Sequence, residues 1–238
     1  MIQVYPAAER YHADHGWLQS HFSFAFADYY DPDNMQFGPM RVLNDDVIAA
    51  GKGFGMHPHR EMEIVTLVLS GELEHRDSGG HRAVTSWGGI QRMSAGTGIY
   101  HSEMNPSAAE PVTLLQMWFQ PEVRGIAPSY ETTKFDPAAL RNTLVPIVSH
   151  AGEAGTIAKI HQDMTIYLSE LEAGRAVTFE QPEGRLIFLF VLEGGVSLSA
   201  GAELGSRDSA RIDHTSALTV SSTAGARFML IDLPDVAD

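Results

Sequence analysis

The feature that most constrains the fold of this chain is a series of short apolar runs, each followed by a turn rich in glycine or polar residues. The clearest runs cover residues 64–69, 112–119, 186–192 and 228–233. Runs of this length are typical of buried strands, and many of them in one chain favour a β-sandwich or barrel. The 22 glycines of the 238-residue chain serve the turns. The sequence therefore predicts an all-β protein with few short helices.

The best helical signal begins at Asp136, which is a suitable N-cap. Pro137 follows at the first helical position, where a proline costs no hydrogen bond. We predict one short helix here.

A faint internal repeat divides the chain into two halves. Val68-Leu69-Ser70-Gly71-Glu72-Leu73 resembles Val191-Leu192-Glu193-Gly194-Gly195-Val196, and the run 112–119 corresponds to 228–233. The region between the halves, about residues 121–146, contains four prolines, as a linker often does. We predict two β domains, at residues 1–125 and 146–238, joined by a linker at 126–145.

Charge and composition exclude several classes of function. Sixteen Lys and Arg stand against 30 Asp and Glu, which gives a formal net charge of −14. Such a surface repels phosphate backbones and anionic membranes, so we expect neither a nucleic-acid nor a membrane partner. The absence of cysteine excludes disulfides and thiolate metal sites.

The chain start lacks the basic and apolar segments of a secretory signal, and the longest apolar run is too short to span a bilayer. We expect a soluble, cytoplasmic protein.

Two short stretches carry metal-binding side chains two residues apart. The first holds His57 and His59, and the second holds His101 and Glu103. Residues two apart in a strand project to the same face, so each pair projects together. If the two strands are neighbours in one barrel, four ligands converge on one point. Imidazole and carboxylate together suit a divalent ion such as iron, manganese, cobalt, nickel or copper.

A single His-x-His pair is often only a polar strand edge, but a second same-face pair favours a metal site. Glu63 competes with Glu103, because it has the same parity as His59 in a regular strand, and the spacing does not choose between them. We interpret His75 as a hydrogen-bonding strand residue and the remaining histidines as surface or hydrogen-bonded core residues.

Several stretches together resemble the pirins of the cupin superfamily, especially bacterial pirin-like proteins with quercetinase activity. The similarity is dense from about residue 16 to 130 and thinner afterwards. The stretches that carry it are Asp28-Tyr29-Tyr30-Asp31-Pro32, Arg41-Val42-Leu43-Asn44-Asp45-Asp46, His57-Pro58-His59-Arg60, Glu72-Leu73-Glu74-His75-Arg76-Asp77-Ser78, Met93-Ser94-Ala95-Gly96-Thr97-Gly98-Ile99 and His101-Ser102-Glu103.

The resemblance implies a bicupin, that is, two stacked jelly-roll β-barrels of which only the N-terminal one holds a metal. Its ligands map onto His57, His59, His101 and Glu103, so analogy, not spacing, selects Glu103 over Glu63. One divalent transition metal ion is implied, usually Fe(II), with Mn, Co, Ni, Cu or Zn as alternatives.

The second half agrees with a metal-free C-terminal domain. Aligning Gly194 with Gly71 places Glu180 and Pro182 where the first pair of histidines stands.

The implied activity is a quercetin 2,3-dioxygenase reaction. A flavonol and dioxygen would meet at the metal, Glu103 would take the proton of the flavonol 3-hydroxyl, and ring cleavage would release carbon monoxide. The candidate pocket walls are Phe54, Met56, Tyr100 and Met117.

The alternative is a pirin-like interaction protein that modulates transcription or a metabolic enzyme, since an acidic surface suits basic protein partners. Sugar isomerisation, as in other cupins, has no support beyond the shared metal type. The sequence also lacks a cysteine nucleophile, a G-x-S-x-G elbow and a phosphate loop.

Overall fold

The computed structural model describes residues 1–199 and 201–235. Within these residues the regular structure consists of 22 strands and two short 3-10 helices, so the all-β prediction is confirmed. The strands are, in chain order, β1 (Ile2–Tyr5), β2 (Tyr11–Asp14), β3 (Leu18–Phe22), β4 (Met40–Ile48), β5 (Gly53–His59), β6 (Glu63–Ser70), β7 (Leu73–Asp77), β8 (Arg82–Thr85), β9 (Gly89–Ser94), β10 (Ile99–Met104), β11 (Val112–Phe119), β12 (Ser129–Lys134), β13 (Val145–Ser149), β14 (Ala158–Lys159), β15 (Thr165–Leu171), β16 (Arg175–Glu180), β17 (Arg185–Gly194), β18 (Val196–Leu198), β19 (Glu203–Leu204), β20 (Ser209–Ile212), β21 (Ala217–Ser222) and β22 (Ala226–Pro234).

The short helix predicted after Asp136 is present as a 3-10 helix at Pro137–Leu140. The Asp136 carboxylate accepts a hydrogen bond from the Ala138 N–H at 2.9 Å, as an N-cap does. The second 3-10 helix covers Ala7–Glu9.

The described chain forms two compact units that are not contiguous in sequence. The N-terminal unit contains Tyr11–Phe135 and Ala151–Gln162, and the C-terminal unit contains Met1–Arg10, Asp136–His150 and the described part of Asp163–Asp238. This division differs from the predicted boundaries at residues 125 and 146. Strand β1 pairs with β20 of the C-terminal unit, and the segment predicted as a linker contributes β12, which pairs with β9. Backbone pairing with distant strands decides which unit a segment belongs to, and amino-acid composition does not predict that pairing.

The N-terminal unit has two antiparallel sheets. The larger sheet has the strand order β12-β9-β6-β11-β4-β3-β2, and the smaller has β5-β10-β7-β8.

The C-terminal unit repeats this arrangement. Its larger sheet contains β1, β20, β17, β22, β15 and β13 in that order, and its smaller sheet has the order β16-β21-β18-β19. In both units the long apolar strand that precedes the repeated turn, β6 or β17, pairs with the last long strand, β11 or β22. The faint sequence repeat therefore corresponds to a structural repeat.

The interiors of the two units differ in polarity. The C-terminal unit has one large apolar cluster that includes Ile187, Leu189, Leu218, Val220 and Phe228. The described clusters of the N-terminal unit are smaller.

On β6 of the N-terminal unit, Ile64 and Val68 belong to separate apolar clusters. Thr66 lies between them on the same face of the strand. On β11, Gln116 interrupts the apolar series in the same way between Leu114 and Trp118. The middle of this interior is therefore polar, and that is where the candidate site lies.

Among residues 1–199 and 201–235, no helix has the length and apolar character needed to cross a membrane.

Candidate metal centre

The first requirement for a shared site is that the two ligand-bearing strands are neighbours, and they are. Strand β5 pairs antiparallel with β10, and His57 lies directly opposite His101. His57, His59 and His101 each present a ring nitrogen within 4.8 Å of the others. The structure therefore brings together three of the four residues that the sequence singled out, in one cluster.

The hydrogen bonds of His57 leave one ring nitrogen free to bind a metal. Its Nδ1 lies 2.7 Å from the Gly55 carbonyl oxygen, which can only accept, so Nδ1 carries the proton. The lone pair is then on Nε2, which lies 3.1 Å from Nε2 of His101. Two nitrogens bound at a right angle to one ion, each at about 2.1 Å, lie about 3 Å apart. The spacing thus fits two ligands of a common ion.

The burial of His59 shows whether a metal ion fits this site. Its Nε2 is buried and has no hydrogen-bond partner. A polar atom in that condition is costly unless something binds it. Burial, followed by the nearby His57, lowers the pKa of His59 to about 4. Burial, followed by the neighbouring histidines, lowers the pKa of His101 to about 2. The rings of His59 and His101 are therefore held neutral, so their nitrogen lone pairs are available, which fits a divalent metal.

Glu103 is fully enclosed and joins the cluster through His101. Its Oε1 accepts from the Thr66 hydroxyl at 3.3 Å, and its Oε2 accepts from the Gln116 amide at 2.5 Å. Burial raises the pKa of Glu103 to about 7, although both hydrogen bonds oppose the shift. A carboxylate oxygen of Glu103 lies within 4.8 Å of ring nitrogens of His101 and His75.

An irregularity in β5 accompanies this placement. The register shifts between His101 and Glu103, so that Glu103 lies opposite Phe54 and β5 carries one extra residue before His57. Such bulges change the direction of side chains, and they are common next to functional sites.

Glu63 occupies a different environment from the three histidines. Its Oε2 accepts from the Ser94 hydroxyl at 2.8 Å and from the His161 backbone N–H at 3.1 Å. Glu63 does not share a strand face with His59, because β5 ends at His59 and the chain turns before β6, with Glu61 at φ 51°. On β6, Glu63 then lies on the face opposite to Thr66, which contacts Glu103.

A second polar group, formed by His75 and Asp77, lies beside the histidine cluster, and the sequence analysis did not predict that it contacts His101. His75 is buried, its Nδ1 lies 3.4 Å from Nδ1 of His101, and its Nε2 lies 3.0 Å from an Asp77 oxygen. The prediction that His75 is a hydrogen-bonding strand residue is confirmed. The signal for its partner was the spacing of His75 and Asp77, which is again two residues on one strand.

The predicted pocket walls are wrong in three of four cases. Met56 and Tyr100 are 59% and 54% exposed, because they alternate with the inward-facing histidines. Met117 is buried, but it lies on the face of β11 opposite to Gln116. Phe54 does approach the cluster, with its ring centroid 6.4 Å from that of His57.

The sequence did not reveal a cleft whose wall includes Trp118, a residue that contacts His59. The Trp118 ring packs edge-on against His59 at 4.8 Å between centroids, and Trp118 also lines a cavity of about 290 Å³. The other aromatic and cationic residues of this cavity are Phe26, Tyr29, Tyr30 and Arg41.

The corresponding positions of the C-terminal unit carry different side chains. Glu180 and Pro182, which an ungapped sequence alignment sets against His57 and His59, are exposed, and Pro182 lies beyond the end of β16. The residues of β16 that pair with the inward-facing residues of β21 are Val177 and Phe179, which are apolar. Strand β21, the counterpart of β10, reads Ala-Leu-Thr-Val-Ser-Ser and places Leu218 and Val220 in the apolar core.

Two family models match the chain. A family model described as Pirin matches residues 4–119, and one described as the quercetinase C-terminal cupin domain matches residues 146–233. The chain is 42% identical over 236 residues to a quercetin 2,3-dioxygenase of Escherichia coli strain K12, covering 99% of this chain and all of the relative. It is 37% identical over 222 residues to a pirin-like protein of Caulobacter vibrioides, covering 92% and 94% of the two chains.

A solved structure shows the same likeness in three dimensions. The bacterial pirin YhhW from Escherichia coli, in complex with nickel(II), superposes with a TM-score of 0.93 at 41% identity, covering 99% of this chain and 100% of YhhW. Family models match both halves of the sequence, and the bicupin fold and this superposition support the same assignment. The chain belongs to the pirin family of the cupin superfamily.

Proposed function

We propose that this protein is a metal-dependent dioxygenase that cleaves a flavonol such as quercetin and releases carbon monoxide. The observation that carries the proposal is the convergence of three imidazoles inside the N-terminal unit, two of which have pKa values that burial lowers. The names of relatives at 42% identity over nearly the whole chain support the choice of reaction. The nickel(II) complex of YhhW supports the binding of a divalent metal.

In this proposal the ion is held by His57, His59, His101 and Glu103. Iron is the metal that the family resemblance favours, and manganese, cobalt, nickel, copper and zinc are alternatives with compatible ligand chemistry. When bound, the ion supplies Lewis acidity and open positions at which the flavonol oxygen and dioxygen can be held together.

Glu103 is the proposed base for the flavonol 3-hydroxyl. Gln116 and Thr66 each donate a hydrogen bond to it, so its carboxylate is held in one orientation. The Trp118 indole N–H in turn donates to the Gln116 side-chain oxygen at 3.2 Å. This chain of donors connects Trp118, a wall residue of the cleft, to the Glu103 carboxylate.

The aromatic cleft lined by Trp118 is the proposed place for the flavonol rings. Trp118 borders both the cleft and His59, so a flat ring system packed there contacts the same indole that packs against His59. Phe26, Tyr29 and Tyr30 add aromatic surface, which favours stacked or edge-on contacts with a planar substrate.

The test follows the loss of the flavonol absorption band under air, with carbon monoxide measured in the headspace. The protein is loaded in turn with iron, manganese, cobalt, nickel, copper and zinc. Controls are the same metals free in buffer and the His101→Ala variant. At least one metal form should outpace both controls and release carbon monoxide. If none does, the dioxygenase proposal fails.

That negative result would favour the second candidate, an interaction protein. The net charge of −14 is the observation that supports it, because such a surface attracts basic patches on other proteins.

A further inference from the structure

A row of hydrogen-bonding side chains runs from the surface of the N-terminal unit to His101. His81 is 46% exposed at its side chain, and its Nδ1 lies 3.0 Å from both oxygens of Asp77. The Asp77 side chain is fully buried, and its Oδ2 lies 3.0 Å from Nε2 of His75. Nδ1 of His75 then lies 3.4 Å from Nδ1 of His101. No residue of this row except His101 belongs to the ligand set proposed above.

The row is built by strand pairing. Strand β7 lies next to β10 with Asp77 opposite His101 and His75 opposite Glu103. The side chains of these two residue pairs point inward, because Asp77 and His75 are two apart on β7 and His101 and Glu103 are two apart on β10. The His75 ring is stacked on Tyr130 at 4.0 Å between centroids and 9° between planes, which holds its orientation. His75 therefore has both ring nitrogens directed at specific partners.

The hydrogen bonds determine which nitrogens carry protons. Asp77 can only accept, so Nε2 of His75 donates to it and Nδ1 of His75 is left as an acceptor. Nδ1 of His101 can then donate to His75, and the lone pair of His101 is placed on Nε2. That is the nitrogen which faces His57. The direction of the row thus agrees with metal binding by His101 through Nε2.

We propose that His75 and Asp77 are positioning residues that fix the tautomer and ring orientation of His101 and raise its basicity through a carboxylate–imidazole–imidazole chain. The inference rests on the metal site proposed above. Metal-bound histidines commonly donate their second N–H to a carboxylate or carbonyl, and loss of such a partner typically costs about 10–100-fold in metal affinity. Here an imidazole stands between the ligand and the carboxylate, so two residues share that role.

The experiment measures metal affinity directly and does not depend on flavonol turnover. Zinc and nickel are titrated into the full-length chain by competition with a chelator. The variants are Asp77→Asn, which removes the charge and keeps the shape, His75→Phe, which keeps a ring that can stack on Tyr130, and His101→Ala as the ligand reference. Glu63→Gln is the matched control, because Glu63 is a buried, hydrogen-bonded carboxylate of the same unit outside the row. Circular dichroism and thermal unfolding of the metal-free variants report folding.

We expect Asp77→Asn and His75→Phe to weaken metal binding by about 10–100-fold. Glu63→Gln should stay within threefold of the unsubstituted protein, roughly 0.6 kcal/mol at 25 °C. His75→Phe should keep measurable binding, unlike His101→Ala. If His75→Phe abolishes binding as completely as His101→Ala, then His75 is itself a ligand and the inference is overturned. Unchanged affinity in a folded Asp77→Asn variant also overturns it.

A second measurement covers the case in which Asp77→Asn does not fold. In the zinc-loaded unsubstituted protein, nitrogen-15 NMR of the imidazoles should show His75 protonated at Nε2 and unprotonated at Nδ1. The opposite tautomer, or a doubly protonated ring, overturns the inference. If the unsubstituted protein binds neither zinc nor nickel, then the metal site itself fails, and this inference fails with it.

Discussion

His59 and Glu103 are ionisable residues for which burial favours the uncharged form. Burial lowers the pKa of His59 to about 4 and raises that of Glu103 to about 7. The neutral imidazole keeps the lone pair that a metal needs. A divalent cation would reverse the effect on Glu103, since a nearby positive charge stabilises the carboxylate. These two environments are therefore complementary to a cation and costly without one.

Spacing in the sequence does not show whether Glu63 or Glu103 is the metal ligand, and substitution of these two residues should have different effects. We expect Glu103→Ala to weaken metal affinity by roughly 100-fold or more, beyond the loss caused by an outer hydrogen-bond partner. Glu63→Ala should leave affinity nearly unchanged and instead cost about 1–3 kcal/mol of unfolding free energy, because Ser94 and the His161 N–H lose a buried acceptor. Metal titration and urea unfolding of both variants measure the two effects. The opposite pattern, with affinity lost only in Glu63→Ala, would identify Glu63 as the ligand.

The β5–β10 pair is the element that assembles the site. Its register places His57 opposite His101, and its extra residue before His57 places Phe54 opposite Glu103. The start of β5 approaches β10 so closely that only glycine fits. A Cβ on Gly53 would lie 2.2 Å from the Glu103 carbonyl oxygen and 2.6 Å from Met104 Cα.

Gly53→Ala should therefore disturb both stability and the site. The methyl group forces the two backbones apart at Glu103, and overpacking of this kind typically costs about 1–3 kcal/mol. Metal affinity should fall as well, because Glu103 moves with its backbone. Gly55→Ala is the matched control, since no atom lies within 4 Å of a Cβ there. Urea unfolding and metal titration compare the two variants. Equal stability and affinity in both would show that the close approach at Gly53 is unimportant.

At the scale of the whole molecule, one strand order is used twice with different interiors. In the N-terminal unit β5 and β10 direct histidines and a glutamate inward, whereas in the C-terminal unit β21 directs Leu218 and Val220 into an apolar core. The same architecture therefore supports a polar site in one unit and hydrophobic packing in the other.

One metal ion per chain is the expected stoichiometry. Elemental analysis of the loaded protein should give a metal-to-chain ratio of about one, because β16 and β21 of the C-terminal unit direct apolar side chains into the core in place of metal ligands. The double variant His57→Ala with His59→Ala should reduce the ratio to near zero. Metal content that is unchanged in the double variant, or a ratio of two in the unsubstituted chain, would contradict the single-site assignment.

The sequence by itself determined the all-β class, the twofold repeat and the three histidines of the candidate centre. These follow from local rules: strand length, turn composition and the alternation of side chains along a strand. The family resemblance added Glu103, which spacing alone could not distinguish from Glu63.

Only the tertiary structure decided the features that depend on which strands meet. It placed β5 beside β10, turned Glu63 toward Ser94 and His161, and put β1 into the C-terminal unit. It also brought the His75–Asp77 pair of β7 against His101, and it replaced Met56, Tyr100 and Met117 with Trp118 as a wall next to the site. The alternation of side chains predicts which residues of one strand share a face. It does not hold across a turn or a bulge, and it does not predict which strand pairs with which. Those are set by pairing between residues far apart in the chain.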